Sequence, residues 1–131
     1  MINKDQFLKK DKFALHLGIE LLEVSEGFAK AKLDIKEKHL NGHNIVHGGA
    51  VFSLADLAFA AASNSYGNTA LAINASISYV KAAPGGTLFA QARETSLNHK
   101  LGTYTVDITN ENNDRIAIFQ GMVYRKKQKY D

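Results

Sequence analysis

GGAVFSLADLAFAAA, residues 48–62, is the longest run of low polarity in the chain, broken only by Ser53 and Asp56. Its apolar residues fall nearly all round a helical wheel, the pattern of a helix covered on most of its sides. It is too short for a membrane span, which needs about 20 apolar residues. The sequence therefore predicts a buried helix from about Gly48 to Tyr66, ended at Gly67-Asn68. Its many alanines would let neighbouring backbone approach closely, as a sheet wrapped around the helix requires.

The flanking segments read as strands. Ile19, Leu21 and Glu23 share one face; after a Ser25-Glu26-Gly27 turn, Ala29, Ala31, Leu33 and Ile35 oppose Lys30, Lys32, Asp34 and Lys36, which makes a half-buried hairpin. The polar stretch Glu37 to Val46 is a loop. Beyond the helix, Leu71, Ile73, Ala75, Ile77 and Tyr79 alternate with small or polar residues, and Pro84-Gly85-Gly86 turns the chain. Leu88, Ala90 and Ala92 carry the next strand, Tyr104, Val106 and Ile108 another, and Ile116, Ile118 and Met122 the last, after the loop Asn110 to Asp114. At the N-terminus, Asn3 with Gln6 resembles a capping box, and Phe7, Leu8, Ala14 and Leu15 form the buried side of one short helix. The result is an α+β layer architecture: one long helix against a six-stranded antiparallel sheet, after a short N-terminal helix.

At 131 residues the chain is expected to form one domain over 1–131. With 45% hydrophobic and 22% charged residues it is an ordinary globular composition. The absence of cysteine excludes disulfides, thiolate metal sites and a catalytic thiol, and is compatible with a reducing compartment. MINKDQFLKKDKF lacks the apolar region of a signal peptide, so a cytoplasmic location is expected. A net charge of +3 would suit an anionic ligand, although part of it lies in Arg125-Lys126-Lys127-Gln128-Lys129, read as a solvated tail. No basic helix or aromatic-interleaved basic stripe points to nucleic acid.

Between Lys38 and Lys81 there is no Lys, Arg or Glu, and Asp56 is the only acidic residue. Its helical neighbours Phe52, Ser53, Phe59 and Ala60 offer no compensating cation. An unpaired buried carboxylate costs several kcal/mol or shifts its pKa upward, so it implies a tertiary partner or a task. His47-Gly48-Gly49 opens the same helix, where unpaired N–H groups and glycine backbone can receive a developing oxyanion. Asp56 lies eight residues beyond Gly48. At 1.5 Å per residue that is about 12 Å along one helix, too far for both to act on one carbonyl carbon. A site shared across a dimer, Gly48 from one subunit and Asp56 from the other, resolves the distance. His39, His43 and His47 recur every fourth residue, but Asn41, Gly42 and Asn44 argue against a continuous helix there, and no carboxylate joins them at ligand spacing; no metal is expected. Ser53 and Ser63 lack the partners of a serine triad. Lys81, Arg93 and Lys100 are candidates for binding phosphate groups, by sign of charge and by position near strand ends.

The run from Leu40 to Asp56, LNGHNIVHGGAVFSLAD, closely resembles the hotdog-fold thioesterases of the phenylacetate-degradation type, and the likeness extends through Asn64-Ser65, Tyr79 and Gly102-Thr103-Tyr104. The resemblance implies a hotdog fold, a dimer of side-by-side sheets, commonly a homotetramer of two such dimers, and hydrolysis of an acyl-CoA without a cofactor. It places the catalytic carboxylate on Asp56, the oxyanion-binding N–H on Gly48, beside Gly49, and the active-site asparagine on Asn41. His47 would shape the loop or contact the thioester. Some relatives add a serine from the strand after the helix to position water; the matching residue here is Ala72, so that role is empty or falls to Asn74. Aryl-acetyl and medium- or long-chain fatty acyl groups are the expected substrates, the first from the resemblance. A hydratase on the same scaffold would pair the Asp with a histidine near position 61, which is Ala61. A non-catalytic acyl-CoA-binding module would leave Asp56 without a use.

Overall fold

Two side-chain caps organise the N-terminus. Asn3 accepts a hydrogen bond from the Gln6 N–H and starts α1 (Lys4–Lys10); Asp11 accepts from the Ala14 N–H and starts α2 (Lys12–Leu17). The single expected helix is thus two, broken at Asp11. The break buries Phe7 and Ala14 but turns Leu15 outward, 46% exposed. In the computed structural model, which describes residues 1–130, the hairpin β1 (Glu20–Ser25) and β2 (Phe28–Asp34) follows. One 3-10 turn (Glu37–His39) then leads into α3 (Gly48–Asn64). Four strands complete the fold: β3 (Asn68–Tyr79), β4 (Thr87–Leu97), β5 (Leu101–Thr109) and β6 (Arg115–Lys129).

The sheet is antiparallel throughout, in the order β1-β2-β4-β5-β6-β3. The alanines explain how it wraps α3. In the register, Ala29 opposes Ala92 and Ala31 opposes Ala90, a floor of methyl groups on which Leu54, Ala55, Ala58 and Ala61 sit without solvent exposure. This is the hotdog arrangement that the sequence implies. None of the helices is long and apolar enough to cross a membrane among the described residues.

Three details depart from the expected pattern. α3 stops at Asn64, short of Tyr66, because the Asn64 side chain is drawn off to Ala70, accepting from its N–H and donating to its carbonyl. Ser65 turns likewise, donating to the Ala62 carbonyl and accepting from the Gly27 N–H. In β3 a bulge falls between Ala72 and Asn74, so the inward row is not the simple alternation from Leu71. The register opposes Ala72 to buried Val123, but Asn74 to half-exposed Met122. Leu71 and Ile73 are therefore exposed, at 49% and 56%. In β6 the inner row is Ala117, Phe119, Gly121 and Val123, not Ile118 and Met122. The basic tail is the outer part of that strand, with Arg125 opposite Ala70 and Lys129 opposite Asn68.

Gly121 lets α3 reach the sheet. The Phe59 ring packs 5.3 Å from Phe119 and 5.8 Å from Tyr104, centroid to centroid, and a Cβ on Gly121 would lie 2.6 Å from its Cζ. Held between two aromatic rings, Phe59 has little room to yield. Gly121→Ala is expected to cost about 1–3 kcal/mol, read as a lower denaturant midpoint with an unchanged slope.

Candidate active site

The start of α3 leaves one backbone donor open. His47 is extended (φ −61°, ψ 135°) and its Nδ1 accepts from the Gly49 N–H at 2.8 Å. The Ala50 N–H turns to the His47 carbonyl at 2.9 Å, and the N–H of His47 itself is taken by the His39 carbonyl at 2.7 Å. A helix begins with four N–H groups lacking intrahelical partners. Three are accounted for, and only Gly48 offers an N–H that no acceptor takes among the described residues. His47 thus acts as an N-cap. Over Gly48 lies Tyr79, whose hydroxyl donates to the Gly48 carbonyl at 3.1 Å and whose ring would stand 3.2 Å from any Cβ there.

Asn41 shares a cleft of ≈ 380 Å³ with Gly48, Tyr79 and Lys81. Its Oδ1 accepts from the N–H groups of His43 (2.8 Å) and Ile45 (3.4 Å), an Asx turn that fixes the side chain. The amide NH₂ is left as the group it can offer. Beneath this loop, His39 is buried. Its Nδ1 accepts from the Lys36 N–H and its Nε2 meets the Leu17 carbonyl, at 2.8 and 2.7 Å. With both nitrogens engaged, His39 is a staple between the loop and α2 rather than a metal ligand.

Asp56 is half-buried on α3, in a second cavity of ≈ 350 Å³ that Asp11, Phe13, Ser53 and Leu57 also line. Burial raises the pKa of its carboxyl above the usual carboxylate value, and the charge of Asp11 raises it further. No cation forms an ion pair with it among the described residues. Asn at position 11 would keep the helix cap and remove the charge. Asp11→Asn should therefore lower the Asp56 pKa, read from the carboxyl carbon in an NMR titration; an unchanged midpoint would mean that burial acts alone.

Because α3 is continuous, Gly48 and Asp56 stay about 12 Å apart within the chain. Of the phosphate candidates, Lys81 borders the Gly48 cleft, bonded to Asp114 at 2.9 Å. Arg93 is held on the outer face of β4 by Asp107. Lys100 lies in a basic cleft with His99, Arg125 and Lys127, at the Asn68 end of β3, roughly 35 Å along that strand from Tyr79 at 3.3 Å per residue. Asn74, beyond the bulge, lies opposite Met122 and Ala72 opposite Val123, and both are exposed. Ala61 is fully buried, so no second catalytic group can stand there. The sequence reading missed Tyr79 as a neighbour of Gly48 and Asp11 as a neighbour of Asp56. Both contacts join residues on different elements, and neither leaves a local signal.

Comparison with known proteins agrees with the fold. Residues 43–117 match the thioesterase superfamily. A protein of Archaeoglobus fulgidus is 48% identical over 97% of this chain and 83% of its own. The acyl-coenzyme A thioesterase PaaI of Escherichia coli is 36% identical over 94% of this chain and 89% of its own. The structure of that E. coli protein, from the phenylacetic acid degradation operon, superposes with a TM-score of 0.93 over 97% of this chain and 93% of the other. A phenylacetic acid degradation protein PaaI of Thermus thermophilus, 34% identical, gives 0.85 over 88% of this chain and all of its own.

Proposed function

The chain belongs to the thioesterase superfamily, and from that we propose that it hydrolyses an acyl-CoA to a carboxylic acid and free CoA, in a site shared by two subunits. The observation that carries this reading is the pairing on one helix of a single open N–H at Gly48 with an isolated carboxylate at Asp56, about 12 Å apart. Neither half is complete alone. Across a dimer, the Gly48 N–H of one subunit polarises the thioester carbonyl and receives the oxyanion as it forms. Asp56 of the other takes a proton from water held by the Asn41 amide, and the hydroxyl adds to the carbonyl carbon. When the tetrahedral intermediate collapses, the C–S bond breaks and CoA leaves as a thiolate that is then protonated. Attack by the Asp56 carboxylate itself, through an anhydride that water opens, uses the same groups.

The sheet edges support the dimer. β1, the edge at one end, is short and carries Glu20 and Glu23. β3, the edge at the other, is 12 residues long, with Leu71, Ile73 and Tyr79 exposed, and Val80 just beyond its end exposed too. A long apolar edge is a template for pairing, and pairing β3 with a second β3 makes one continuous sheet. Two such dimers would form the tetramer. Lys81, which borders the Gly48 cleft, is the proposed partner of a CoA phosphate, in exchange for Asp114. The phenylacetate connection of the relatives favours aryl-acetyl-CoA, with medium- and long-chain fatty acyl-CoA next.

Thiol release from acetyl-, octanoyl-, palmitoyl- and phenylacetyl-CoA, followed with a thiol-reactive dye, tests the activity. Activity is expected to fall as the protein is diluted through dissociation, tracked by sedimentation. A fully active monomer would overturn the shared site.

A further inference from the structure

Phe13 is anomalous: a large aromatic side chain, 62% exposed, in the first turn of a helix that packs on the core through Ala14. It stands between two hollows. One, of ≈ 350 Å³, holds Asp56; the other, of ≈ 570 Å³, reaches Tyr79 and Gly49. Phe13, Phe52 and Ser53 border both. The two are therefore halves of one trough, with Phe52 and Ser53 of α3 as its floor and Phe13 of α2 as its wall.

The chemistry of the lining follows from hydrogen bonds already made. Ser53 donates to the Gly49 carbonyl, Lys38 to the His16 carbonyl and His39 to the Leu17 carbonyl. What these leave to an occupant is mainly apolar: Phe13, Leu17, Ala50, Phe52 and the Tyr79 ring. The carboxylate of Asp56, with no cation or donor bonded to it among the described residues, marks one end. The volumes match small-ligand pockets, which run to about 300–1,000 Å³.

Resting on the thioesterase reading, we propose that the trough between α2 and α3 receives the acyl group of the substrate and that Phe13 sets which acyl groups fit. An acyl chain lying along Phe13 and Phe52 brings its carbonyl carbon to Asp56. The rival occupant is a segment of a second copy of the chain. An apolar segment packed there would shut the Asp56 carboxylate away from water without a partner, which costs several kcal/mol; an acyl group leaves its own carbonyl, and the attacking water, at that end.

Phe13 thus acts on selectivity, and the readout is a ratio. In the full-length protein, Phe13→Ala is expected to lower kcat/KM for phenylacetyl- and decanoyl-CoA, relative to acetyl-CoA, by about 10- to 200-fold, the scale of lost apolar pocket contacts. Phe13→Leu, closer in volume and safe for folding, should fall between Ala and the wild type. An unchanged ratio in both variants would overturn the proposal, as would an equal loss on every substrate. A shift of either variant to monomer in sedimentation would also overturn it, since Phe13 would then belong to a subunit interface. The two readings fail separately: a wild type that releases thiol from no acyl-CoA sinks the thioesterase assignment, whereas an active wild type with an unaltered ratio in the variants sinks only the role of Phe13.

Discussion

Asp56→Asn should lower thioester turnover by about 100- to 10,000-fold, the range for losing a positioned general base, and should at the same time raise the melting temperature at neutral pH. Both effects have one cause. Asparagine nearly matches the shape of aspartate but can neither take a proton from water nor attack a thioester. It also carries no charge to bury. Burial and the nearby Asp11 raise the folded-state pKa of Asp56, so the folded protein holds that proton more tightly than the unfolded chain does. The folded state is then favoured most below the unfolded carboxylate pKa. The advantage is lost as pH rises towards the raised folded value, and above it the charged form bears its full penalty. At neutral pH asparagine escapes that penalty; near pH 4 and below, where the wild type regains its proton, the difference should narrow. Thermal melts at both pH values, beside thiol-release rates, check the pair of effects. Wild-type turnover in a folded Asp56→Asn protein would remove Asp56 from the chemistry.

The second large effect is at Gly48, where an unusual substitution separates the N–H from the backbone that carries it. Proline is well tolerated at the first position of a helix, because its missing N–H has no intrahelical partner there. The preceding residue must be extended, and His47 already is, at φ −61° and ψ 135°. Gly48→Pro should therefore keep α3 and delete the one open donor, lowering kcat by about 100- to 1,000-fold. Gly48→Ala is the control. It adds a Cβ 3.2 Å from the Tyr79 ring, as proline does, but retains the N–H. If the alanine variant loses as much rate as the proline variant, crowding by Tyr79 explains the loss and the donor does not.

How far the sequence alone reaches differs from element to element. α3 was legible because fifteen residues with only two polar interruptions, at 48–62, leave no alternative to burial. The first hairpin turn and the turn before β4 were legible because Gly27 and Gly86 must take positive φ, 73° and 80° in the structure. The β3 bulge was not. One extra residue at Ile73 exchanges the two faces of the strand, and alternation read across it assigns half the strand wrongly. The break between α1 and α2 was hidden for a related reason. Asp11 suits a helix surface as well as a cap, and only the burial of Phe7 and Ala14 on separate turns decides between them. In the site, Asn41, Gly48 and Asp56 could be found in one stretch of chain because a loop and a helix carry all three. Asp11 and Tyr79 reach the site through tertiary folding, and nothing near them in sequence announces it.

The strand order has a consequence for how the molecule comes to be folded. β2 is bonded to β4, so Phe28 faces Arg93 and Asp34 faces Thr87, whose hydroxyl donates to Asp34 at 2.8 Å. α3 and the whole of β3 lie in the loop which that pairing closes. The entropy of closing it must be met before the alanine floor beneath the helix exists, a topology of non-local pairings that folds slowly. On the ribosome, the most apolar segment of the chain emerges well before the strand that covers it. Until β4 follows, α3 has only the first hairpin, α2 and the still unpaired β3 to lie on, and the half-made protein is at its most vulnerable to aggregation.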